Sequence, residues 1–182
     1  MEAYMKIKKL GITILMIIIV MSSLFAATPS KFDVGVLNFY KIQNVIDTEF
    51  EAYTPGIRLE GHITPWFGLG LDALLDSPFS GGGDPNLVLT TDIAFRASLG
   101  FFEPYIALGP AYSVVFADSG VTLDRDVMYS GRVGFDFNIT SIFTVGVESK
   151  LILRHLDAVI DGSQEVDWLE STYVGLTLKA KF

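Results

Sequence analysis

Side chains able to do chemistry are sparse in this sequence, and few stand at a spacing that chemistry needs. There are two histidines, His62 and His155, and no cysteine. That removes a His-rich or thiolate metal centre, a Cys nucleophile and a disulfide framework. His155 sits in His155-Leu156-Asp157 with no serine at the spacing a nucleophile and its base require. The run Gly81-Gly82-Gly83-Asp84-Pro85 lacks the Lys-Ser/Thr that completes a phosphate loop and leads into a strand pattern, so it reads as a surface loop. Gly68-Leu69-Gly70 is strand alternation, and Asn138-Ile139-Thr140 reads as turn chemistry. These residues support no catalytic site, cofactor or metal.

The remaining constellation is ionic. Asp33, Arg58, Glu60, Asp72, Asp92, Arg96, Arg132, Asp136, Glu148, Lys150, Arg154, Lys179 and Lys181 all fall on positions that alternate with apolar residues. Seven are cations and six are anions, so pairing is available to nearly all of them. Charges of opposite sign brought together in a low-dielectric space must pair, because an unpaired buried charge is costly. Arg58, Glu60, Asp72, Asp92, Arg96, Arg132, Asp136, Glu148, Lys150 and Arg154 are the candidates for such a network. His62 shares their face as a hydrogen-bonding group.

The elements that position these charges follow from the apolar period. From Ser30 onward apolar residues recur at every second position, which is the period of a strand. Eight stretches show it, centred on Val34, Leu59, Leu71, Phe95, Leu108, Val133, Val147 and Leu176. No charge falls on the apolar face of any of them, while the opposite face mixes charges with Gly and Ala. A soluble sandwich would alternate in the same way, but three further features select a barrel. Connections alternate in length, long near residues 41–51, 76–86, 117–127 and 157–171, and short near 64–66, 100–103 and 138–142. Small residues crowd the charged face, as a narrow eight-stranded interior demands. Aromatics gather in two bands, with Trp66, Phe67, Phe101, Phe102, Tyr105, Phe137, Phe143 and Phe182 towards the short turns. Tyr53, Tyr112, Phe116, Tyr129, Trp168 and Tyr173 lie towards the long loops, completing the pair of girdles that flank a membrane-embedded belt.

Composition agrees with this reading. The chain has 182 residues, 50% of them hydrophobic and 19% charged, with 13 Lys+Arg against 21 Asp+Glu and a net charge of −8. An acidic chain with pI near 4.6 lacks the cationic stripe that nucleic acid requires, and a mean hydropathy of +0.43 excludes ordinary disorder. The one long apolar run, Leu10 to Val20, follows Lys6, Lys8 and Lys9 and precedes small residues ending at Ala27. These are the parts of a signal peptide, so residues 1–27 are expected to be a cleaved export signal and 28–182 the barrel. An uncleaved helical anchor is the alternative. After residue 27 no run approaches the 18 or so consecutive apolar residues of a membrane helix.

Ile63-Thr-Pro-Trp-Phe-Gly-Leu-Gly-Leu-Asp72 aligns with Ile139-Thr-Ser-Ile-Phe-Thr-Val-Gly-Val-Glu148 at an offset of 76, so the repeating unit is a pair of strands. With this pattern, residues 30–182 resemble the small eight-stranded outer-membrane barrels of the OmpA, OmpX and OmpW type. The most specific part of the resemblance is the C-terminus, where Val174, Leu176, Leu178, Ala180 and terminal Phe182 look like the assembly signal read by the barrel-insertion machinery. Ala180 is smaller than the aromatic often found there. The resemblance implies an all-β up-and-down transmembrane barrel in outer-membrane lipid, with no enzymatic activity.

Two functions are open at this point. Either the paired charges plug the barrel, leaving an envelope structural or surface-interaction protein, or the lumen is an OmpW-like narrow channel for small or apolar solutes. For the channel, the inward apolar candidates at the outer mouth are Leu37, Phe39, Leu74, Val115 and Ile152. A rim lipid hydrolase using His155 is a weaker third reading. The long loops carry about −11, an acidic crown suited to a cationic ligand or partner, or simply to solubility.

Overall fold

The computed structural model describes residues 32–47, 53–76, 86–117, 120–123, 127–154 and 166–182. The expected signal peptide, His155 and much of the acidic crown lie outside them. Among the described residues, nine strands and two short helices form: β1 (Phe32–Lys41), α1 (Ile42–Ile46), β2 (Tyr53–Thr64), β3 (Phe67–Asp76), β4 (Asn86–Arg96), β5 (Phe102–Ala117), β6 (Gly120–Leu123), β7 (Met128–Asn138), β8 (Phe143–Leu153), α2 (Trp168–Ser171) and β9 (Thr172–Lys181).

Each long strand pairs antiparallel with its neighbour in sequence, and β1 pairs with β9, so eight strands close into an up-and-down barrel. At the seam, the Phe182 amide donates to the Phe32 carbonyl at 2.9 Å and the Phe32 amide returns a bond to Phe182 at 3.3 Å. Closure leaves no barrel strand with an open edge, which is the condition for a sheet to exist where water cannot satisfy its backbone.

Side-chain direction then follows from strand parity. Along β2, Ile57 is 60% exposed while Arg58 beside it is 1% exposed. Along β5 and β8, Leu108 is 63% exposed and Lys150 is fully buried. The barrel is therefore inverted relative to a water-soluble protein, with apolar residues outward and charge in its core.

At one end the connections are tight. Between β4 and β5 the turn runs through Gly100, whose φ of +79° suits a residue without Cβ, and Leu99 donates to the Phe102 carbonyl at 2.9 Å. Between β7 and β8 the Thr140 hydroxyl accepts from the amides of Phe143 at 2.9 Å and Ile142 at 3.2 Å, a side-chain substitute for a backbone turn.

The opposite, long-loop end is more structured than the sequence pattern indicates. Where the sequence pattern indicates only a long loop after β5, a short strand stands, and β6 pairs antiparallel with Val114–Ala117. Helices α1 and α2 also stand at this end, the latter capped by Asp167, whose carboxylate accepts from the amides of Leu169 and Glu170. Caps of this kind satisfy amides that a four-residue helix cannot satisfy internally.

Candidate functional site in the barrel interior

The interior has three levels, set by the strand positions that point inward. At the middle level the Arg58 side chain runs across the barrel between β3 and β8. Its Nε and Nη2 donate to Asp72 at 2.6 and 2.7 Å, and its Nη1 and Nη2 donate to Glu148 at 2.6 and 2.9 Å. Asp72 and Glu148 are the equivalent acidic positions of the internal repeat, so both arms of one guanidinium are used on repeat-related carboxylates. The planar fork of arginine suits such double bidentate binding, which a lysine could not reproduce.

Arg132 on β7 holds Asp92 through Nε at 2.7 Å and Nη2 at 2.9 Å, reaches Glu60 at 3.1 Å and lies 3.5 Å from Glu148. Glu60 also binds the Arg96 guanidinium. Lys150 donates to Asp72 at 2.6 Å and to the Thr90 hydroxyl at 2.8 Å. Lys179 donates to Asp136 at 2.6 Å. All of these groups are buried. Their mutual attraction is strong enough to hold charges in such a space only because nearly every lone pair and proton has a partner.

Tyr105 threads through the network. The sequence pattern places it in the short-turn girdle, but the structure corrects this: it is buried, its hydroxyl donates to Glu148 at 2.5 Å, and its ring lies 4.6 Å from the Lys179 ammonium and 5.3 Å from the Arg132 guanidinium carbon. Room for it comes from Gly134 on β7, where a Cβ would fall 2.5 Å from the Tyr105 hydroxyl and 2.6 Å from its ring. Tyr173, expected in the other girdle, is likewise turned inward.

At the short-turn level Asp33 lies 3.0 Å from the His62 imidazole and 3.7 Å from Arg96. Glu103 is 3.5 Å from Arg96 and 3.4 Å from Lys181. Glu103 was missed because it falls in the sequence window of a turn. Its parity with Tyr105 and Ala107 on the same strand was the available signal. Arg154 departs from the expected network in the opposite direction: it is exposed at the outer end of β8 and borders the mouth, beyond the last buried layer. The strand simply ends before that position can be enclosed.

The third level, at the long-loop end, is apolar. Leu37, Phe39, Leu74, Val88, Ala111, Met128, Ile152 and Tyr173 form one buried cluster. Four of the five expected apolar residues belong to the inner face here. Val115 does not join the cluster: it is half-buried at the end of the ladder, paired with Asn86 on β4. Above this layer opens a cavity of about 360 Å³, bordered by Lys41, Asp76, Asn86, Arg154, Asp167 and Glu170 among others.

On the outer surface Trp66, Phe143, Tyr112 and Tyr129 are exposed, with Phe67 and Phe137 half-buried among neighbouring rings. Trp66 stacks on Phe95 at 6.3 Å, and Phe102 lies 5.4 Å from Phe135 and 5.5 Å from Phe137. Along β9, Leu176 and Leu178 face outward, and terminal Phe182 stacks on Phe32 at 5.1 Å.

Among the described residues, no group of His, Asp and Glu is arranged to hold a metal ion. The space between Asp72 and Glu148, where paired carboxylates would need a substrate, is filled by the Arg58 guanidinium.

Closed antiparallel topology, eight strands, an apolar exterior and an ionic interior define the fold of the small outer-membrane β-barrels. The chain is similar in structure to the N-terminal β-barrel domain of OprF from Pseudomonas aeruginosa, with 11% identity, a TM-score of 0.61, and 85% of this chain matched to 98% of that one. It is also similar to a de novo designed transmembrane β-barrel, with 13% identity, a TM-score of 0.55, and 86% and 98% of the two chains covered. No family model matches the sequence, and neither does any curated protein.

Proposed function

We propose that this protein is an outer-membrane barrel closed to solutes, serving a structural or surface-interaction role in the envelope and meeting partners through its acidic long loops. Its short turns would face the periplasm and its long loops the exterior. The observation that carries the reading is the Arg58 bridge, a guanidinium bound bidentately to carboxylates on β3 and β8, with the buried apolar layer above it. A solute would have to break both seals. Outer-membrane lipid is the solvent for the exposed apolar belt, and the alternating residues Val174 to Phe182 are the segment that the barrel-insertion machinery would read. Export by cleavage after the apolar N-terminal run belongs to the same proposal. The charged rim suits a cationic partner.

The test is single-channel conductance of the refolded chain in planar bilayers, after heat-modifiable gel mobility has established insertion. Absence of steady conductance supports the closed form, and a stable, reproducible conductance overturns it. One observation favours a second reading, a narrow passage for small apolar molecules: the mouth cavity ends on Val88, Met128 and Ile152, an apolar floor. That reading requires the floor and the ionic level to open together.

A further inference from the structure

The three short turns carry no charge. Residues 64–66, 97–101 and 139–142 contain no Asp, Glu, Lys, Arg or His. At their tips Phe101 is 70% exposed, Ile139 65% and Ile142 54%. A turn that ends in water ordinarily carries Asp, Asn, Gly or Ser at such positions, and large apolar side chains exposed together mark a contact surface. The nearest charges lie inside the rim and are held there. Asn138 donates to Glu103 at 2.8 Å, and Lys181 donates to the Asn138 side-chain oxygen at 2.6 Å.

These turns also ask little of water for their backbones. Between β7 and β8 the amides of Ile139 and Thr140 donate to the Phe143 carbonyl at 3.0 and 3.1 Å, and those of Ile142 and Phe143 donate to the Thr140 hydroxyl. Between β4 and β5 the Gly100 carbonyl accepts from the Asn138 side chain at 3.2 Å, and the Phe101 carbonyl accepts from the Asn138 amide at 2.8 Å. Internal satisfaction of this kind is what a segment needs in order to leave water.

The height of the wall points the same way. Outward residues run from Phe137 up to Tyr129 on β7 and from Phe32 up to Tyr40 on β1. Eight residue steps of about 3.3 Å, on a strand tilted by about 40°, rise roughly 20 Å. An outer-membrane barrel presents an apolar band about 25 Å tall, so roughly 5 Å is wanting between these rings. Beyond Phe137 the chain supplies it with Ile139 and Ile142.

We propose that the three short turns are bedded in the lipid leaflet at their end of the barrel, with Phe101, Ile139 and Ile142 at the boundary of headgroups and acyl chains. Lipid is the occupant because the tips continue the apolar wall without a break: Ile142 leads into exposed Phe143, and the Phe101 ring stacks on Phe137 at 6.5 Å. The barrel then ends within the membrane on this side, and the long-loop end is the face left for soluble partners. The inference rests on the barrel spanning a membrane and adds the depth at which it sits.

The chain has no cysteine, so single cysteines can be spin-labelled without background in the mature chain refolded into dimyristoylphosphatidylcholine vesicles. Phe101→Cys, Ile139→Cys and Ile142→Cys report the tips, Val147→Cys the exposed wall and Glu170→Cys the exposed long-loop end. Collisions with oxygen, which partitions into lipid, are compared with collisions with a water-soluble nickel chelate. The oxygen-to-nickel ratio at the tips should stand severalfold above that at Glu170 and approach that at Val147. A ratio at Phe101 and Ile139 equal to that at Glu170, with Val147 still in lipid, overturns the inference and returns the turns to water as a surface for a soluble partner. If Val147 also reports water, the membrane reading falls and takes the inference with it, so the two failures are distinguishable. A second measurement leaves the turns unaltered: Trp168→Phe makes Trp66 the only tryptophan, and its emission should be quenched by lipid brominated near the headgroup and not by aqueous iodide. Quenching by iodide alone overturns the inference.

Discussion

Replacing Arg58 by methionine tests the ionic interior at its most connected point. The substitution keeps much of the side-chain volume and deletes four hydrogen bonds, two to Asp72 and two to Glu148. Asp72 retains the Lys150 ammonium at 2.6 Å. Glu148 retains the Tyr105 hydroxyl at 2.5 Å and Arg132 at 3.5 Å, so neither carboxylate is wholly stranded. Even so, one positive charge disappears from a buried set in which both acids remain, and breaking a buried pair from one side typically costs about 3–5 kcal/mol. We therefore expect Arg58→Met to lower the unfolding free energy by about that amount. The double variant Arg58→Met/Glu148→Gln removes one charge of each sign. Arg132 then still holds Asp92 and Glu60, and the new amide oxygen can still accept from Tyr105. Its cost should be smaller than the sum of the two single variants by roughly 1–3 kcal/mol. Both quantities come from equilibrium urea unfolding in detergent micelles, followed by the fluorescence of Trp66 and Trp168. A single-variant loss below about 1 kcal/mol, or strict additivity of the pair, would show that water reaches Arg58 and that the interior is not a dry plug.

The remaining expectations concern the wall, the packing and the seam. Val147→Arg puts a cation on the outward face near the middle of β8 and should cost about 2–4 kcal/mol in lipid if that position sits at mid-bilayer, and tolerance of the charge would contradict the face assignment. Gly134→Ala should cost about 1–3 kcal/mol through its clashes with Tyr105 and the Val147 carbonyl, and the part due to Tyr105 should be relieved in a Tyr105→Leu background, as unfolding midpoints will report. Deleting Phe182 removes its stacking on Phe32 and the two backbone bonds at the seam. The folded, heat-modifiable fraction recovered on insertion should fall while the refolded remainder keeps its secondary structure by circular dichroism.

Sequence alone determined the eight strands of the barrel wall, their up-and-down order and the face of nearly every residue in them, for a physical reason: side-chain direction in a strand has a period of two, so Ile57 and Arg58 declare opposite faces without any knowledge of their partners. The same parity marked Asp33, Lys179 and Lys181 as inward and would have marked Glu103, had the turn before β5 not obscured where the strand begins. What parity cannot supply is height and partner. That Arg58 binds Asp72 and Glu148 together, that Lys179 serves Asp136, and that Arg154 stays outside at the mouth depend on register and on where each strand leaves the barrel wall. Parity turns Tyr105 inward, but the room for its ring depends on Gly134 standing opposite it on β7. Only the closed tertiary structure stacks these residues into an ionic level beneath an apolar one, because both levels are assembled from strands far apart in sequence and brought to the same height by barrel shear.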